Sequence, residues 1–352
     1  MQCEVTFVCI MARADKQSSR YIAVMKNCFS FMVAALFSAT LHAVPQVLDI
    51  DWKDGARERT LPLKIRVPEG DARVPLVLFS HGLGGSRDGG KAWGEHWSGN
   101  GYLVIHVQHP GSDESLWKGP GDGAPKQRMA RGATPEQLLG RVDDVRFVID
   151  ELARLQGKTD APVWTKRVDL SRIAMTGHSF GARTTMALAG ERFPGPIKSV
   201  ADGRVTAFIA FSPTVQGAKK TWAERYGAMG KPFLSVTGSI DGDVMSTGSN
   251  AKHRAAVFDA QNAGDKYRVV FADGDHSVFN GGGVREAGWL NRVTGEAHAS
   301  TSAATAKVIQ EKTSVITLKY LDAYLKSDAT AKSWLADSAA KSLGDAGEWS
   351  YK

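Results

Sequence analysis

Seven short apolar runs punctuate the chain, each closed by Gly, Pro or Asp. They read LPLKIRV (61–67), VPLVLFS (74–80), YLVIHVQ (102–108), RIAMT (172–176), VTAFIAFS (205–212), PFLSVTG (232–238) and YRVVFAD (267–273). Most lack the strict alternation of a half-exposed strand, which predicts strands buried on both faces. Between them the spacing becomes helical. In PEQLLGRVDDVRFVIDELARL (135–155), Leu138, Val142, Val145, Val148 or Ile149, and Leu152 share one stripe. Thr134 stands ready to cap that helix, and Pro135 fits its first turn. Further helices are expected at 180–191 and 303–326. Strands alternating with helices predict an α/β fold, a mostly parallel central sheet with helices on both faces. No internal repeat and no dividing linker is found, so residues 44–352 are expected to make one domain.

Two stretches fit neither period. Residues 110–134 are rich in Gly, Pro and charge, and residues 279–300 follow the last strand. Both would leave the C-terminal ends of strands, where open parallel sheets bind ligands, and both are expected to be long rim loops.

From Met25 the chain reads MKNCFSFMVAALFSATLHAVPQ: one Lys, an uncharged apolar run, then a small residue, Ala43, before Val44. That is the order of a secretory signal peptide, and the run is short for a membrane span of about 20 residues. Residues 1–24 sit awkwardly ahead of it and are expected to be an over-long extension, so 1–43 is a leader. The mature protein is expected to be periplasmic or secreted, with no stable membrane span. The formal charge is +7; the leader holds four basic and two acidic residues, so its removal leaves +5. No Lys/Arg stripe interleaved with aromatics argues for nucleic acid. Cys3, Cys9 and Cys28 all lie in the leader, so the mature chain has no disulfide, cysteine nucleophile or thiolate metal site.

The chemistry concentrates at Gly177-His178-Ser179-Phe180-Gly181, the whole connection between the strand RIAMT and the helix FGARTTMALAGE. So sharp a turn forces its central residue into a strained conformation and points the side chain outward. Gly177 and Gly181 flank it because Cβ atoms there would collide where strand and helix cross. A serine hydroxyl needs a base, and the base an orienting acid. His276, in FADGDHSVF just past the last strand, is the candidate base in the chain order Ser, acid, His. Asp241, in PFLSVTGSIDGDV, is the candidate acid, with Asp243 as the alternative. Asp273 and Asp275 lie too close to His276 along the chain and are expected to shape its loop. An oxyanion needs aligned donors. Phe180 supplies one N–H at the helix start, and Leu83, in the Gly-rich FSHGLGGSRDGG (79–90), is the choice for the second. His178 is expected to pack structurally and His81 to brace the Gly-rich loop. His106, His109 and Asp113 are a common grouping beside a loop, and no metal site is assigned. Trp93, Trp97, Trp117 and Trp289 could line a pocket or the core.

SHGLGGSR, GHSFGA, TGSIDGD and GDHSVF, in this order and spacing, resemble an α/β-hydrolase of the bacterial dienelactone-hydrolase-like group. The chain is similar also to platelet-activating-factor acetylhydrolases and cutinase-like polyesterases, over residues 60–326. The resemblance implies Ser179 as nucleophile and Leu83 and Phe180 as oxyanion donors. It departs in one place. Platelet-activating-factor acetylhydrolases carry the acid after the strand that follows the nucleophile helix, where this chain has AFSPTV with Ser212. The acid is then expected one strand later, as in cutinase-like enzymes, which favours Asp241. Dienelactone hydrolases use a cysteine, so that substrate does not transfer. The expected activity is ester hydrolysis through an acyl-enzyme, without cofactor, on a small-molecule or lipid-like ester. The alternatives are an amidase or peptidase with the same triad, or an inactive binding protein on this scaffold.

Overall fold

A computed structural model describes residues 45–118, 123–197, 199–242, 249–282 and 300–352. Nine strands, β1 (Gln46–Asp54), β2 (Arg59–Val67), β3 (Val74–Ser80), β4 (Leu103–Val107), β5 (Val168–His178), β6 (Val205–Phe211), β7 (Phe233–Gly238), β8 (Lys266–Phe271) and β9 (Gly347–Tyr351), form one sheet. Their spatial order is β1-β2-β4-β3-β5-β6-β7-β8-β9. β3 to β8 run parallel, while β1, β2 and β9 join antiparallel at the two edges. Every residue of β3, β4 and β7 is buried, as their unbroken apolar runs require.

Helices α1 (Lys91–Gly99), α2 (Pro125–Gly132), α3 (Pro135–Gln156), α4 (Val163–Lys166), α5 (Phe180–Ala189), α6 (Trp222–Gly227), α7 (Ala251–Ala260), α8 (Ala303–Leu325), α9 (Ala329–Asp337) and α10 (Ala339–Leu343) connect the strands. α3 carries the expected stripe: Leu138, Val142, Val145, Val148, Ile149 and Leu152 are all buried. Thr134 accepts a hydrogen bond from the Gln137 N–H at 3.3 Å, and Pro135 opens the helix. The strand period of two then divides the core. Leu76 and Leu78 face the layer of α3 and α5, whereas Val77 and Phe79 face the layer of α1 and α8. Two apolar layers sandwich the sheet, an α/β fold of the expected kind.

The stretch 110–134 departs from a pure rim loop. It holds a 3-10 turn at Glu114–Leu116 and α2, whose start at Pro125 supplies the preset φ of a first helical position. Most of the other expected rim, residues 283–299 with Trp289, lies outside the described residues, as do the leader and Asp243. Residues 44–352 cluster as one compact unit. Among the described residues no helix is long and apolar enough to cross a membrane.

Candidate active site

The strand order reverses at β3, which pairs with β4 on one side and β5 on the other. Loops leaving the C-terminal ends of β3 and β5 therefore splay apart into a crevice, the usual ligand position in such sheets. Ser179 stands there, between β5 and α5, at φ 56° and ψ −112°. A non-glycine residue adopts that conformation only where its surroundings enforce it. Two glycines supply the enforcement. A Cβ on Gly181 would lie 1.9 Å from the Ser80 carbonyl oxygen, and one on Gly177 would lie 2.5 Å from the Gly181 backbone. The Ser179 N–H is tied to the Phe211 carbonyl at 2.9 Å.

The Ser179 hydroxyl is 2.9 Å from His276 Nε2, and His276 Nδ1 is 2.8 Å from Asp241 Oδ1. His276 follows β8 and Asp241 follows β7. A Cβ on Gly238 would meet the Gly274 carbonyl at 2.1 Å, so the loops bearing Asp241 and His276 approach as closely as backbone allows. Asp275 holds the His276 loop by accepting from the N–H groups of Ser277, Val278 and Thr301. Asp273, at φ 53°, donates its N–H to the Ser239 hydroxyl. Both acids thus shape the loop, and the Asp275 charge also acts on the His276 imidazole, favouring its protonated form.

One residue that contacts this arrangement carries no signal in the sequence. Arg254, buried on α7, places Nε 2.6 Å from Asp241 Oδ1 and donates to the carbonyls of Ser212 and Gly242 at 2.8 and 2.9 Å. Thr237 donates to Asp241 Oδ2 at 2.8 Å. Burial pushes the Asp241 carboxyl up, but the Arg254 guanidinium and His276 outweigh it and hold it at about 2. The carboxylate is therefore charged at neutral pH. The His276 imidazole is lowered as well: burial first, then Arg254, pulls it below the ordinary range against the attraction of Asp241. It is neutral and able to accept a proton near pH 7. His178 packs its ring 4.7 Å from that of His276 and donates Nε2–H to the His276 carbonyl at 2.9 Å. Burial, with His276 adding to it, drives His178 far below its ordinary pKa. It adds no positive charge beside the His276 imidazole.

The Gly-rich loop reaches Ser179 directly, since a Cβ on Gly82 would lie 3.5 Å from Ser179 Cβ. The N–H groups of Gly84 and Gly85 are taken by Ser112 and Gly82 carbonyls. Among the described residues no acceptor is found for the Leu83 N–H. Phe180 opens α5, so its N–H has no carbonyl of an earlier turn to meet.

A buried polar frame holds this loop from behind. Arg141, fully buried on α3, donates to the His81 carbonyl at 2.6 Å and to the Ser112 carbonyl and hydroxyl at 3.1 and 2.8 Å. Its guanidinium lies 4.4 Å from the Phe180 ring centroid. His81 Nε2 accepts from the His109 N–H, which leaves Nδ1 to donate to the Gly82 carbonyl at 2.6 Å. His109 bridges the Ser80 hydroxyl and Asp144, 2.9 Å from each, and Arg57 and Arg59 neutralise that carboxylate. Ser80, His109 and Asp144 repeat the pattern of hydroxyl, imidazole and carboxylate, but none is exposed, so they can only brace. His106 turns instead to the Gly89 carbonyl, and Asp113 accepts from Gln108. Among the described residues no three His, Cys, Asp or Glu converge to hold a metal ion. Trp93 and Trp97 are core residues, and Trp117 donates to the Gly84 carbonyl at 2.7 Å.

Among curated proteins none matches the chain. Residues 55–117 match the family described as Platelet-activating factor acetylhydrolase, isoform II. That span contains β2, β3, the Gly-rich loop with Leu83, α1 and β4, and ends before Ser179. With its mostly parallel nine-stranded sheet flanked by helices, the chain has an α/β fold, and over that span it is similar to the platelet-activating factor acetylhydrolases, a family of α/β-hydrolases.

Proposed function

We propose that this protein is an exported serine hydrolase that cleaves carboxylic esters through an acyl-enzyme. The observation that carries the reading is the unbroken chain from the Ser179 hydroxyl through His276 to Asp241, with contacts of 2.9 and 2.8 Å. Ser179 Oγ attacks the ester carbonyl while His276 Nε2 takes its proton. Asp241 keeps the proton of Nδ1 in place and stabilises the imidazolium without accepting it. The N–H groups of Leu83 and Phe180 meet the oxyanion, in a setting already organised before charge develops. His276 then protonates the departing alcohol, and a water activated by the same ring releases the acid. The signal-like stretch from Met25 to Ala43 supports export, and a cysteine-free chain after it suits an oxidising compartment.

The test is labelling by a fluorophosphonate, which reacts only with an activated serine, paired with hydrolysis of 4-nitrophenyl esters and matched anilides. One label per chain on Ser179 is expected, with esters preferred. Ser179→Ala should lower turnover by about 10^3-fold or more while the fold persists. Ester hydrolysis surviving in Ser179→Ala would end the proposal.

A further inference from the structure

A cavity of about 450 Å³ opens beside the nucleophile turn, and the scheme above leaves it unused. Phe180, Phe193 and Ile197 give it an apolar wall, while Arg183, Arg225 and Gln216 supply polar groups. Arg183 sits four residues beyond Ser179 on α5, its N–H donating to the Ser179 carbonyl at 3.1 Å. One helical turn, about 6 Å along the axis, separates the two residues.

The charges around this cavity do not cancel. Arg225 commits both Nε and Nη2 to a single oxygen of Glu191, at 2.5 Å each. Glu191 is fully buried, and its other carboxylate oxygen has no hydrogen-bond partner among the described residues. Arg183 Nε is likewise buried with no partner among them. Two guanidiniums thus share one carboxylate, and that carboxylate is already engaged by Arg225. A guanidinium left in this condition costs free energy unless an anion completes it. Its planar fork matches a carboxylate in two-point contact.

We propose that the cavity is a subsite for a carboxylate carried by the substrate, so that the enzyme takes esters bearing a free acid group across a short apolar spacer from the scissile carbonyl. Arg183 is the residue that reads this group, and the apolar wall receives the spacer. The subsite rests on the ester-hydrolase reading for its place in turnover, but not for its ability to bind an acid.

Two measurements separate these claims. The first is calorimetric titration of the full chain with hexanoate, with hexanol as the uncharged control. Hexanoate should bind the wild type, at least about tenfold more weakly Arg183→Gln, and with intermediate strength Arg183→Lys. The second is the ratio of kcat/KM for mono-4-nitrophenyl adipate to that for 4-nitrophenyl hexanoate. It should exceed about ten in the wild type and fall by about tenfold in Arg183→Gln. Hexanoate binding that is absent, or indifferent to Arg183, overturns the subsite. So does a wild-type ratio near one when hexanoate ester is turned over well. If neither ester is turned over but hexanoate binding still depends on Arg183, the subsite stands and the hydrolase reading falls. Should Arg183→Gln fail to fold, the wild-type ratio and Arg183→Lys decide.

Discussion

Arg254 Nε lies 2.6 Å from Asp241 Oδ1, the same oxygen that His276 Nδ1 reaches at 2.8 Å. One carboxylate oxygen therefore serves two cations once His276 takes a proton. The guanidinium keeps the acid charged and simultaneously resists protonation of the base. The buried arginine thus lowers both groups, the carboxyl together with His276 and the imidazole in addition to burial.

Two substitutions separate these roles. Asp241→Asn should lower kcat on the order of 10^3- to 10^4-fold, because an amide can hold the wrong imidazole tautomer. Arg254→Met should cost about 3–5 kcal/mol of stability, since it leaves the carboxylate buried and uncompensated. It should also move the acid limb of the kcat/KM profile to higher pH, as the repulsion on His276 is lost. Arg254→Lys should restore most of that shift. An acid limb that stays in place in Arg254→Met would limit this residue to structural support.

In the proposed mechanism protonation of His276 removes the base, and its folded pKa lies below the ordinary value of about 6.5. kcat/KM should hold as pH falls through 7 and decline only with a midpoint below about 6.5. A midpoint at or above that value, from rates between pH 5 and 8, would contradict the electrostatics of the site.

Stability should follow the same sign. Burial, as the largest cause in each case, drives His81 and His178 far below the ordinary range, His106 to about 3 and His109 to about 4. Below about pH 6.5 the unfolded chain binds protons that these folded imidazoles refuse. Their contribution is present above that pH and is lost as pH falls, by about 1.4 kcal/mol per group per unit. Thermal unfolding between pH 7 and 4.5 should show Tm falling steadily. A flat profile would mean that these rings are solvated.

Gly181→Ala tests the turn itself. Its Cβ would sit 1.9 Å from the Ser80 carbonyl oxygen, a backbone atom that cannot swing aside. The expected loss is about 4 kcal/mol or more, or failure to accumulate as soluble protein. A urea midpoint close to wild type would show that strand and helix do not cross so tightly.

Arg141→Met removes three donors to the His81 and Ser112 region. About 1–3 kcal/mol of stability should go for each buried oxygen left unpaired. If the loop presents a donor to the transition state, kcat should fall about 10- to 100-fold well below Tm with KM little changed. A loss in KM alone would place the frame outside the chemistry.

The strand and helix pattern of the interior was legible because β3, β4 and β7 bury both faces and α3 buries one stripe. Short-range spacing alone reports such burial. The edges were not. β1 leaves most of its residues exposed or half-buried, and β9 buries none. Their polar sequences look like loop until a neighbouring strand supplies hydrogen bonds. The turn at Ser179 was readable from Gly177 and Gly181, since a missing Cβ is a local signal of close backbone approach. Asp241 and His276 were readable as loop residues after strands, but only folding selects which loops meet. Arg254, Arg141 and Arg183 carry no such signal. An arginine on a helix looks the same in sequence whether it is solvated, clamps a carboxylate or lines a cavity, because its role depends on partners distant along the chain. Local order was therefore written in the residues themselves, while the distribution of buried charge was decided by tertiary contact.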